Sequence, residues 1–95
     1  MQIDIDLGTY STEVGLQLTW VPGYTLRVTS DGGEVSISAN EQGLRSLAQH
    51  LLTLAEKHVP AGVHAHLEPG LELDDESTSL VVEKVSPSSP HPAHA

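Results

Sequence analysis

Along the first forty residues the hydrophobic positions recur at every second place, the spacing of strands that bury one face. Ile3, Ile5 and Leu7 alternate with Gln2, Asp4 and Asp6. After a linker containing Gly8 and Ser11, Val14, Leu16, Leu18 and Trp20 fall on one side of the next run. Pro22-Gly23 then suits the centre of a type II turn, because proline presets the first φ and glycine accepts the positive second one. A third row, Tyr24, Leu26 and Val28, is opposed by Thr25, Arg27 and Thr29. Asp31-Gly32-Gly33 reverses the chain into a fourth row of Val35, Ile37 and Ala39. The pattern predicts an antiparallel meander with a single apolar face.

At Asn40 the spacing changes to that of a helix. Asn40 is a favourable N-cap, Glu41 complements the positive end of the helix dipole, and Val59-Pro60 stops the run, which predicts a helix over about 41–58. At about 100° per residue, Leu44, Leu47, Ala48, Leu51, Leu52, Leu54 and Ala55 share one arc, opposite Arg45, Ser46, Gln49, Thr53, Glu56 and Lys57. His50 lies at the border of the polar arc, where a histidine faces solvent. His58 falls in the last turn, where its cationic form would meet free carbonyl groups. An apolar stripe beside an apolar sheet face gives the expected fold class: α+β, two layers, with a mainly antiparallel sheet of four to six strands on one amphipathic helix.

Beyond the helix, Val63-His64-Ala65-His66-Leu67 alternates again, and Leu80 to Val85 forms a last apolar run. These two runs are expected to pair as a hairpin, with Leu71 and Leu73 beneath it. Residues 86–95 contain three prolines and nothing larger than histidine, so they read as a disordered Pro, Ser and His tail after a single domain of residues 1–85.

Composition adds a strong sign to this outline. The 95 residues carry four cations and 13 carboxylates, a formal charge of −9. Such a chain repels phosphate backbones and anionic bilayers, so nucleic acid and membrane are not expected as partners and a basic protein is. There is no cysteine, which removes disulfides, thiolate nucleophiles and thiolate metal sites. Neither a secretory start nor an apolar run long enough to span a bilayer is present, so the cytoplasm is the expected location. The charge is also uneven. Five of the 13 carboxylates, Glu68, Glu72, Asp74, Asp75 and Glu76, fall within nine residues.

Candidate chemistry is sparse. On a strand, His64, His66 and Glu68 project to one face, and two imidazoles with a carboxylate are donors that zinc, nickel or iron(II) accept. The same residues also suit the solvated face of a strand, with Pro69 ending it, and no fourth ligand is marked. A divalent metal is therefore an alternative and no cofactor is the main expectation. His91 and His94 would be opportunistic ligands on the tail. No serine lies in a Gly-x-Ser-x-Gly elbow, Asp31-Gly32-Gly33 lacks the strand-to-helix setting of a phosphate cradle, and Asp74-Asp75 shows no split in environment. An enzyme is not expected. The acidic loop could steer a cationic protein, or could serve solubility alone.

One stretch has a family character. The helix start Gly43-Leu44-x-x-Leu47-Ala48, the strand His64-x-His66-Leu67 and the approach Leu73-x-x-x-Ser77 to the last strand resemble the Immunity protein 32 family of bacterial polymorphic toxin systems, over roughly residues 35–85. That resemblance implies a small cytoplasmic protein that binds and blocks a cognate toxin, and it carries over no catalytic residue. His64 and His66 match the family's His-x-His element.

Three readings result. The first is an immunity protein whose toxin-binding surface comprises His64, His66, Glu68, Glu72, Asp74, Asp75 and Glu76, together with the polar sheet face bearing Arg27. The second is a small divalent-metal domain using His64, His66 and Glu68. The third is a structural module in a homo-oligomer joined through an unpaired sheet edge.

Overall fold

The computed structural model describes residues 4–87 and is α+β: six short strands and one helix. The elements are β1 (Thr9–Ser11), β2 (Gly15–Gln17), β3 (Leu26–Asp31), β4 (Glu34–Ala39), α1 (Glu41–Ala55), β5 (His64–Leu67) and β6 (Leu80–Glu83). The strands form three two-stranded antiparallel sheets, β1-β2, β3-β4 and β5-β6, where one larger sheet was expected. Ile3 of the expected first strand and residues 88–95 of the expected tail lie outside the described residues.

The two longer sheets follow the sequence pattern. Leu26 pairs with Ala39 and Asp31 with Glu34, so Gly32 and Gly33 form a two-residue loop. Both glycines have positive φ, at 60° and 86°, the geometry that matches the twist of a tight hairpin. At the other end of the chain His64 pairs with Glu83 and Leu67 with Leu80, as the alternation predicted. The core lies between these hairpins: Leu26 and Val28 of β3 pack with Leu67 and Leu73, flanked by Trp20, Tyr24, Ala39 and Leu80. Val35 and Ile37, expected in the apolar face, are exposed: the core packs on β3, and β4, the outer strand of the hairpin, adds only Ala39 to it. Leu73 is buried as expected, whereas Leu71 stands in solvent.

The helix begins where Asn40 predicts. Its side-chain Oδ1 accepts from the Gly43 amide at 2.8 Å and also from the Thr25 amide at 2.9 Å, while its Nδ2 donates to the Gly23 carbonyl at 3.0 Å. One asparagine thus caps α1 and fastens it to the start of β3. Gly43 allows the close approach, since a Cβ there would overlap the Thr25 carbonyl oxygen. The helix ends at Ala55 rather than near residue 58, and Lys84 Nζ donates to the Glu56 carbonyl at 2.7 Å. His58 lies exposed beyond the last turn and does not take the capping place.

The orientation of α1 differs from the expectation: of the apolar arc only Leu54 is buried. Ser46, Gln49, His50 and Thr53 face inward, with Ser46 0% and Thr53 1% exposed. Leu44, Leu51 and Leu52 face outward at 54%, 46% and 42%. The reason lies in the N-terminal segment. Residues 4–8 and 18–21 pair with no strand despite their alternation. Their backbone groups need partners, and α1 supplies them from its polar arc. Thr53 Oγ1 accepts from the Gly8 amide at 2.9 Å, Ser46 Oγ from the Val21 amide at 2.9 Å, and Gln49 Oε1 from the Asp6 amide at 3.4 Å. His50 Nε2 donates to the Thr19 carbonyl at 3.0 Å, and its ring meets Trp20 edge-on at 4.2 Å between centroids. His50, expected at the surface, is one of the most buried side chains.

Candidate functional site

Glu68 to Glu76 joins β5 toward β6 through a loop held by its own backbone. The Gly70 amide donates to the Leu73 carbonyl at 2.9 Å, and the Leu71 and Leu73 amides donate to the Glu68 carbonyl at 3.2 and 3.1 Å. The Glu72 carboxylate turns back to accept the Glu68 amide at 3.0 Å. The next residues run beside the free edge of β3. The Asp74 amide donates to the Leu26 carbonyl at 2.9 Å and the Thr78 amide to the Val28 carbonyl at 2.7 Å. The Val28 amide donates to the buried Ser77 Oγ at 3.1 Å. This segment therefore covers the edge that β3 would otherwise expose.

The five carboxylates do not all point to one place. Asp74 lies 3.6 Å from Arg27 Nε and Glu76 lies 3.5 Å from Arg27 Nη2. These exposed pairs are worth roughly 0–1 kcal/mol each, and one guanidinium cannot neutralise the loop. The Glu76 side chain is 79% exposed even so. With Asp75, it borders an open cleft of about 530 Å³ whose other walls are Arg27, Gly70, Leu71, Leu73 and Asp74. Beneath the loop, the Tyr24 hydroxyl donates to the Glu72 carbonyl at 2.9 Å. Burial raises the Tyr24 pKa above 10.0, and the Glu72 and Asp74 carboxylates add to the rise. The phenol therefore remains a donor.

The histidine strand adjoins this loop. His64 and His66 stand on the exposed face of β5, with Ala65 and Leu67 buried on the other face, and their rings meet edge-on at 4.7 Å. Nδ1 of His64 donates to the Gly62 carbonyl at 2.9 Å. His66 Nδ1 is 3.9 Å from Glu68 Oε2, while Glu68 Oε1 accepts from Ser79 Oγ at 2.8 Å. Both histidines and Glu72 line a second cleft of about 280 Å³, which has an apolar wall of Leu16, Leu18 and Trp20. Among the described residues no group of three or more histidine or carboxylate side chains is placed to hold a metal ion.

The surface so formed combines exposed carboxylates on a loop bonded to β3, two imidazoles and a shallow apolar wall. Sequence reasoning located the carboxylates and histidines. It did not foresee that Arg27 faces Asp74 and Glu76, or that Tyr24 and Ser77 anchor the loop. The only sequence signal for these was a small residue, Ser77, set between acidic and apolar runs. No helix among the described residues is long and apolar enough to cross a membrane.

Comparison with known proteins returned no matching curated protein and no matching solved structure. The family model of Immunity protein 32 matches residues 34–85, more than half of the chain, and includes β4, α1, the histidine strand, the acidic loop and β6. By that match the chain belongs to the Immunity protein 32 family.

Proposed function

We propose that this chain neutralises a cognate bacterial toxin in the cytoplasm by binding alone, without a cofactor, and that a cationic face of the toxin meets the Glu68–Glu76 loop. The single observation that carries this reading is the exposure of Asp75 and Glu76 on a loop whose backbone is fixed to β3. A rigid anionic surface accelerates encounter with a cationic partner and orients it, with little ordering cost on contact. His64 and His66 extend the same surface, where they can donate or accept hydrogen bonds at its rim.

The test is stopped-flow association with the toxin domain encoded beside this chain's gene. The double variant Asp75→Asn, Glu76→Gln leaves the loop's internal hydrogen bonds intact. It should slow association roughly tenfold at low salt and flatten its salt dependence. An unchanged rate would take the loop out of the interface, and absence of any complex with the wild-type chain would overturn the reading itself.

A further inference from the structure

The outward face of α1 is a surface that toxin binding through the acidic loop does not use. We propose that a second copy of this chain covers it, with the two α1 helices packed antiparallel about a two-fold axis. Leu44, Ala48, Leu51 and Ala55 are all exposed and follow one another at steps of four, three and four residues. That spacing is the seam of a coiled coil, where a straight stripe on one helix meets the same stripe on another. Their inward counterparts, Ser46 and Thr53, are already committed to the N-terminal segment, so α1 cannot rotate to bury the leucines within its own chain.

The stripe is complementary to itself only in the antiparallel sense. With the axis level with the middle of the helix, Leu44 faces Ala55 of the second copy and Ala48 faces Leu51 of the second copy. Every level then pairs a large residue with a small one, which allows close packing. The flanking charges agree. Arg45 and Glu56 are eleven residues apart, about three turns, and lie on the same flank of the stripe. Under the two-fold axis each flank meets its own copy, so Arg45 is brought beside Glu56 of the second copy, twice over. Glu41 at one end likewise comes near the C-terminal end of the other helix, where the exposed His58 stands. A parallel pairing would instead set each flank against the opposite one and lose the Arg45 to Glu56 match. Pairing through the edge of β3 is blocked by the Asp74 and Thr78 amides.

One helix pair makes a small interface, below roughly 1,200 Å², so the dimer forms in a concentration-dependent way. Sedimentation equilibrium of the full chain should show a mass that rises from 10.1 kDa toward twice that value as concentration increases. Leu51→Glu should weaken the dimer by about a hundredfold, because each dimer loses two buried leucines and gains two buried carboxylates. Circular dichroism should stay unchanged, since position 51 is exposed in the single chain. Leu71→Glu, at an exposed leucine outside the stripe, should leave the dimer intact. Arg45→Glu and Glu56→Arg should each weaken it about two- to fivefold, and their combination should restore it. A mass that stays at the monomer value, or a dimer indifferent to Leu51→Glu, overturns the proposal. So does a monomeric wild-type chain whose toxin binding is lost with Leu51→Glu, which would assign the stripe to the toxin.

Discussion

His50 makes the fold sensitive to acid. Its Nε2 donates to the Thr19 carbonyl, which leaves Nδ1 unprotonated and without a hydrogen-bond partner among the described residues. Burial lowers the pKa of this imidazole from the usual 6.5, and the Thr19 carbonyl offsets only part of the effect. Well above pH 6.5 the ring is neutral in both folded and unfolded chains, so its protonation does not affect stability there. As the pH falls below 6.5 the unfolded chain takes up the proton first, so stability declines until the lower folded-state pKa is reached. Thermal unfolding followed from pH 8 to pH 5 should show this decline, and His50→Leu should flatten it. At Asn40 the expectation is one of magnitude. Asn40→Ala removes the N-cap and two ties to the Gly23–Thr25 turn, and should cost about 2 kcal/mol in chemical denaturation.

At the scale of elements, α1 acts as a side-chain ladder for a segment that has no strand neighbour. Thr53→Val keeps the shape but leaves the Gly8 amide without its acceptor, at a cost of roughly 1–3 kcal/mol. Hydrogen exchange should show the Gly8 amide losing protection in that variant, while amides of β5 and β6 keep theirs. The same arrangement explains what the sequence could and could not reveal. The β3-β4 and β5-β6 hairpins and the start of α1 were legible because alternation, Gly32-Gly33 and Asn40 act locally. The direction α1 faces was not legible, because a helical wheel ranks faces by apolarity, and here the deciding need was hydrogen-bond partners for distant backbone at residues 6–8 and 19–21. Alternation at Ile5 and Leu7 misled for the same reason: a period of two permits a strand but cannot supply a neighbour. Of the candidate site, the carboxylates and histidines were legible as residues. Their anchoring by Tyr24, Arg27 and Ser77 was not, because those contacts join positions about fifty apart in the chain.

For the whole molecule, the net charge of −9 acts on two surfaces in opposite ways. Salt screens the proposed attraction between the acidic loop and a cationic toxin, so that complex should weaken as ionic strength rises. Salt also screens the mutual repulsion of two anionic copies, so association through the leucine stripe should strengthen over the same range. Measuring both equilibria in one salt series checks this, and slopes of the same sign would contradict it. A consequence of the loop's attachment also appears at this scale. The acidic loop lies within the stretch matched to the family, yet β3, to which its backbone is bonded, lies just outside it. Substitutions in β3 or in the Gly32-Gly33 hairpin could therefore re-aim the carboxylates as a group, as turning a mount redirects what it carries. Recognition could be retuned from a strand and a hairpin turn that lie outside the loop itself.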